Sequence, residues 1–106
     1  MMRLARDEIV NPEIRDELIV KEARVIPVLF HEQRETIMKL LIDGQRNIID
    51  LSKVTKMNPG TIKRHVDLLV QHGLATLSTI DTNEYGIKLK YYRATARKFT
   101  FSFSWP

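Results

Sequence analysis

Apolar residues recur along this chain at two spacings, helical up to about Gly73 and strand-like from Leu74 onward. Asn11-Pro12-Glu13 has the chemistry of a helix start: Asn accepts from an orphan amide, Pro fits the first helical position and Glu suits the positive end. Ile14, Leu18 and Val25 then share a stripe, and Pro27 should end or kink the helix, although the run Leu18-Ile19-Val20 leaves a strand open. From His31 to Asp43, Ile37, Leu40 and Leu41 lie at helical spacing, with Gly44 as the stop. Asn47 is an N-cap candidate, with Asp50 three residues on, and Ile48, Leu51 and Val54 would face inward on a short helix ending near Thr55. After Lys56-Met57, Asn58-Pro59-Gly60 opens another helix by the same logic. It sets Ile62, Val66, Leu69 and Val70 on one side and predicts a helix over 59–72 with Gly73 as terminator.

From Leu74 the period becomes two. Ala75, Leu77 and Thr79 alternate with Thr76, Ser78 and Ile80; Asp81 to Gly86 reads as a turn; Ile87, Leu89 and Tyr91 alternate with Lys88, Lys90 and Tyr92. This predicts a β-hairpin over 76–93 with one face buried. The tail alternates as well, so Phe99, Phe101, Phe103 and Trp105 would line one face of a strand or extended segment over 96–106. Helices first and a hairpin after define an α+β class, and 106 residues make a single domain, 1–106, able to bury one small core.

Charge is unevenly placed. Residues 1–50 hold eight Lys/Arg against ten Asp/Glu, whereas residues 51–106 hold nine against three, within a net charge of +4. A basic half of this kind suits a polyanion. The chain has no cysteine, which excludes disulfides, thiolate metal sites and cysteine nucleophiles, and no cofactor is expected. His31, His65 and His72 are dispersed, with no pair at the spacing of a metal site; His65 is expected to pack with a hydrogen bond and His72 to suit the end of its helix. Adjacent acids such as Asp7-Glu8 and Asp16-Glu17 do not converge on a helix, and no nucleophile–base set or glycine-rich phosphate loop is present. An enzyme is not expected. No apolar run is long enough to cross a bilayer and the first residues are charged, so the expected location is the cytoplasm.

Two helices joined by a short turn, the second followed by a basic hairpin, form the order of a winged helix-turn-helix. The run from Leu29 to Leu41 resembles the L-A-D-P-T-R-x-x-I-L-x-x-L opening of ArsR-type regulators, with Arg34 at the Arg position. Thr61 to Ala75 resembles the family's T-V-S-x-H-L-x-x-L-x-x-A-G-L-V recognition helix, and Lys90-Tyr91-Tyr92-Arg93-Ala94-Thr95 resembles the x-x-Y-x-L-T close of its hairpin. The resemblance covers about residues 25 to 95. It implies a winged-helix regulator that binds double-stranded DNA. It departs from the family's metal sensors where they carry E-L-C-V-C-D-L: Asn47 and Ile49 stand in place of the thiolates, which excludes metal sensing at that site.

With helix 59–72 in a major groove, its first turns would face the bases, making Asn58, Gly60, Thr61, Lys63 and Arg64 the contact candidates. Lys63 and Arg64 can donate to guanine O6 and N7; Asn58 and Thr61 suit adenine or phosphate, Asn58 also serving as a helix cap; Gly60 allows close approach. Lys88 and Lys90 would contact the flanking backbone or minor groove, or else keep a strand edge from aggregating. One recognition helix gives few contacts, so a homodimer reading two half-sites is expected. Its elements would be the segment 1–26, read as helical, through Ile14, Leu18 and Val25, and the tail through Phe99, Phe101 and Phe103. Two alternatives remain open: a winged-helix module for protein interaction, and an architectural DNA binder without sequence preference. No sensor-pocket motif points to an effector.

Overall fold

The computed structural model describes residues 6–9 and 13–104. Three helices form where the apolar stripes predict them: α2 (Glu32–Asp43), α3 (Ile48–Thr55) and α4 (Pro59–Gln71), preceded by the short α1 (Ile26–Leu29). Their inward residues Ile37, Leu41, Leu51, Ile62, Val66 and Leu69 are fully buried and make the core. Asn47 caps α3, its Oδ1 accepting from Asp50 N at 2.7 Å, which is the contact expected of that spacing. Two expected inward residues turn outward. Val54 is exposed because α3 leaves the core at its last turn, where Lys56 takes a left-handed φ of 66°. Val70 is exposed because the arc of Ile62, Val66 and Leu69 already fills the inward face of α4.

The helix expected to follow Asn11-Pro12-Glu13 does not form. Residues 11–12 lie outside the described residues; Arg15–Val20 is a strand, β2, parallel to β5 (Ala96–Phe101) with Arg15 opposite Ala96 and Val20 opposite Phe101. Local helix signals are weak, and here the ladder to a strand some 80 positions away outweighs them. Pro27 does not end a helix either; it sits in the first turn of α1, where its missing N–H costs nothing. Val25 is buried in the core.

The hairpin pairs β3 (Ala75–Thr82) with β4 (Lys88–Ala94) in antiparallel register from Ala75↔Ala94 to Thr82↔Lys88. A shift between Leu77 and Thr79 breaks the expected alternation on β3, and Ser78 is buried at that point. On β4 the inward parity is Tyr92 and Ala94, continued by Ala96, rather than Ile87, Leu89 and Tyr91. The core covers only the base of the hairpin, so Lys88, Leu89 and Lys90 of β4 are exposed and the apolar alternation there carries no burial, while Thr79 to Thr82 of β3 are half-buried. A third strand, β1 (Arg6–Ile9), pairs antiparallel with β3 from Arg6↔Thr82 to Ile9↔Thr79, so the distal half has order β1-β3-β4. The base is tied to the helices by Arg46 and Tyr92, which exchange backbone bonds of 2.9 and 2.8 Å.

Candidate nucleic-acid interface

The first turn of α4 is built by Asn58, whose Oδ1 accepts from Gly60 N at 2.7 Å. A Cβ on residue 60 would stand 3.1 Å from that oxygen, so glycine here also leaves room for the cap. Thr61 is half-buried on the same turn, while Lys63 and Arg64 project into solvent.

The two basic side chains differ in what they have available. Lys63 Nζ donates to both carboxylate oxygens of Asp67, at 2.7 and 2.6 Å, one helical turn on. The hydrogen bond to Asp67 holds its pKa above the ordinary 10.5, partly offset by desolvation. No carboxylate pairs with Arg64 among the described residues. Lys63 meets the hairpin across an open cleft of about 220 Å³ that Lys88 and Lys90 of β4 also line, together with Asn47 and Ile48 at the start of α3. The fold thus brings residues 63, 88 and 90 to one concave face, with Asn58 to Arg64 at the start of the same helix.

Behind that face, α4 is held by a cluster that sequence reading recovered only in part. His65 Nε2 lies 2.9 Å from Gln33 Oε1 and its Nδ1 lies 3.2 Å from an Arg34 nitrogen. Because guanidinium can only donate, Nδ1 accepts and Nε2 carries the proton, so the ring is neutral. Burial first, then the charges of Arg34, His31 and Arg64, lower its pKa from 6.5. Arg34 also donates to the carbonyls of Val28 (2.6 Å) and Pro27 (3.2 Å), clamping α1 to α4. His72 accepts its expected place at the end of α4, Nδ1 donating to Leu68 O at 3.0 Å. Gln45 was not singled out from sequence; its Oε1 accepts from the hydroxyls of Ser78 (2.8 Å) and Thr79 (2.9 Å) and pins the irregular point of β3. No local pattern signals a contact over more than 30 positions.

The aromatic tail is less free than expected. Phe99 and Phe101 of β5 pack against the core, and Phe101 lies 5.3 Å from the Phe30 ring and 6.0 Å from that of Phe103. Ile14 and Leu18 are half-buried. Phe30 (57%) and Phe103 (39%) stay exposed against Phe101, while Ile19 (52%), opposite Thr100, is exposed on the other face of the β2–β5 ladder; of the three only Phe103 was anticipated.

The family profile described as bacterial regulatory protein, arsR family, matches residues 31–76, the stretch from α2 to the start of the hairpin. Residues 31–76 are thus similar to the ArsR type of helix-turn-helix. Among solved structures, the homodimeric winged helix-turn-helix DNA-binding domain Mb0332 from Mycobacterium bovis is similar, with 28% identity over 70% of this chain and 63% of that one, at a TM-score of 0.57. The transcriptional repressor BigR from Xylella fastidiosa, 20% identical over 69% of this chain and 66% of that one (TM-score 0.56), shares the fold, as does HlyU from Vibrio cholerae N16961, 18% identical over 68% of this chain and 72% of that one (TM-score 0.56). The chain spans just under two thirds of the BigR and Mb0332 chains. No curated protein sequence matches it significantly. The matching profile describes a family of transcription regulators. Where the family's metal sensors resemble E-L-C-V-C-D-L, Asn47 of this chain uses its oxygen to cap α3 and Ile49 is exposed. No group of side chains suited to a metal ion occurs among the described residues, and no helix among them is long and apolar enough to cross a membrane.

Proposed function

We propose that the chain is a cytoplasmic transcriptional regulator that binds specific double-stranded DNA as a homodimer, with α4 in the major groove and Lys88 and Lys90 on the flanking backbone. The observation that carries this reading is the single cleft shared by Lys63 of α4 and Lys88 and Lys90 of β4. Phosphate contacts from the hairpin set the register, and Arg64, with no carboxylate partner, is the side chain best able to make a bidentate contact to guanine. Asn58, Gly60 and Thr61 shape the first turn, whose amides favour phosphate.

Two features support the homodimer. β2 and β5 form a two-stranded parallel sheet with no third strand on either edge among the described residues, an arrangement that is rarely stable without further cover. Phe30 and Phe103 stay exposed against Phe101 on the face that also carries Leu18 and Phe99, Ile19 is exposed on the opposite face, and half-buried Ile14 precedes β2. Val25 is part of each protomer's own core. The same exposed apolar residues favour a second reading, a winged helix used to bind another protein.

Selection of bound duplexes from a randomised library at physiological salt tests the proposal. Enrichment of an inverted repeat with half-sites about 34 Å apart supports it. Binding without enrichment indicates an architectural role, and no binding assigns the basic face to a protein partner.

A further inference from the structure

The tip of the hairpin offers DNA almost nothing electrostatic. Three of its amides are already engaged: Tyr85 N and Ile87 N donate to Asn83 Oδ1 at 2.9 and 3.0 Å, and Gly86 N donates to Asn83 O at 3.0 Å. The charged side chain of the turn, Glu84, is an acid that phosphate would repel. What the tip does present is apolar. Tyr85 is 78% exposed and Ile87 58%, on either side of Gly86, whose φ of +78° folds the chain sharply between them. The tip is also held firmly, by the Asn83 bonds within it and by β1, which adds a third strand to the distal half. Just beyond it Lys88 and Lys90 begin the cationic cleft.

We propose that Tyr85 and Ile87 form a rigid apolar wedge that enters the minor groove flanking the recognised site and partly unstacks one base step, bending the duplex. The proposal rests on the DNA-binding reading above. Apolar side chains inserted between base steps recover through contact what unstacking costs. Here Lys88 and Lys90 hold the flanking phosphates while the tip, which carries no cation and whose Tyr85, Gly86 and Ile87 amides are engaged, meets the groove floor. The Tyr85 hydroxyl can donate to adenine N3 or thymine O2, so steps rich in A·T are the expected place of entry.

The test uses the full chain and a duplex recovered by selection, carrying 2-aminopurine in its flank and a donor–acceptor dye pair at its ends. The native protein should raise 2-aminopurine fluorescence and shorten the end-to-end distance. The double variant Tyr85→Ala, Ile87→Ala changes only solvent-exposed side chains; it should abolish both signals and weaken binding by about tenfold while leaving the salt slope unchanged. Lys88→Ala, as the comparison, should lower the salt slope and keep the fluorescence rise. Native binding without unstacking or bending overturns the wedge and leaves the DNA reading intact, as does a double variant that binds and bends like the native chain. A double variant with a smaller salt slope also overturns it, because the tip then contacts phosphate. Absence of any native binding to DNA defeats the underlying reading, and the wedge with it.

Discussion

Replacing Asp67 by Ala should strengthen DNA binding, an unusual direction for removal of an ion pair. In the free protein Asp67 holds the Lys63 ammonium by two hydrogen bonds of 2.6 and 2.7 Å, with both side chains 54% exposed. An exposed pair at this helical spacing contributes about 0.3–0.5 kcal/mol, so its loss leaves the fold essentially as stable. The released ammonium can neutralise one phosphate, which steepens the dependence of log K on log salt by about 0.9 per protomer. Between 50 and 200 mM salt, that increment reduces the variant's advantage by about three- to fourfold, so the gain is largest in dilute salt. With α4 against DNA as proposed, removing the Asp67 carboxylate adds in the same direction. Fluorescence anisotropy titrations across that salt range, with Asp67→Asn as the near-isosteric partner, measure both quantities. A folded variant with an unchanged slope, or with weaker binding at every salt concentration, refutes the placement of Lys63 at the phosphate-facing surface.

Other expectations follow from the same geometry. Lys88→Ala should lower the salt slope by about one and weaken all sequences alike, whereas Arg64→Ala should relax preference at one base position; parallel selections with the two variants separate these outcomes. Arg34→Ala removes charged hydrogen bonds to Val28 O and Pro27 O and the contact to His65, and should cost roughly 2–4 kcal/mol in urea unfolding. A loss near zero would mean that the clamp between α1 and α4 is not needed. His65 titrates below 6.5 in the folded chain, so between its lowered value and 6.5 the unfolded chain binds more protons. Its contribution is therefore complete above pH 6.5 and is lost as pH falls through that window; His65→Gln should flatten the acid limb of a stability–pH curve, and an unaltered limb would contradict the neutral assignment.

Much of the site was legible because it depends on local chemistry. Asn47 and Asn58 cap the helices their positions indicate, and the stripe of Ile62, Val66 and Leu69 orients α4 so that Lys63 and Arg64 must face outward. The hairpin's existence followed from its period, but its inward face did not: 87, 89 and 91 are the more apolar parity, while burial depends on how far the core reaches along the strands. The Asn83 bonds at the tip use a turn residue whose role was visible only as part of a polar stretch. Phe30 meets Phe101 through the placement of α1 against β5, and Ile19 is turned outward by the parallel pairing; neither leaves a mark in local sequence.

What the sequence by itself determined is whatever lies within a helical turn or a strand repeat: three helices with their caps and stops, a basic hairpin, an uneven charge distribution and the lack of thiols. Tertiary structure decided everything that depends on pairing across distance. It made Arg15–Val20 a strand, because hydrogen bonding to Ala96–Phe101 outweighs a nearby helix-start signal. It added β1 to the hairpin, joined Lys63 to Lys88 and Lys90 across one cleft, and engaged the tip amides so that Tyr85 and Ile87 are what the wing presents. Local free energies of a few tenths of a kcal/mol per residue can bias a segment, but a ladder or a core contact reverses that bias once distant partners are in place.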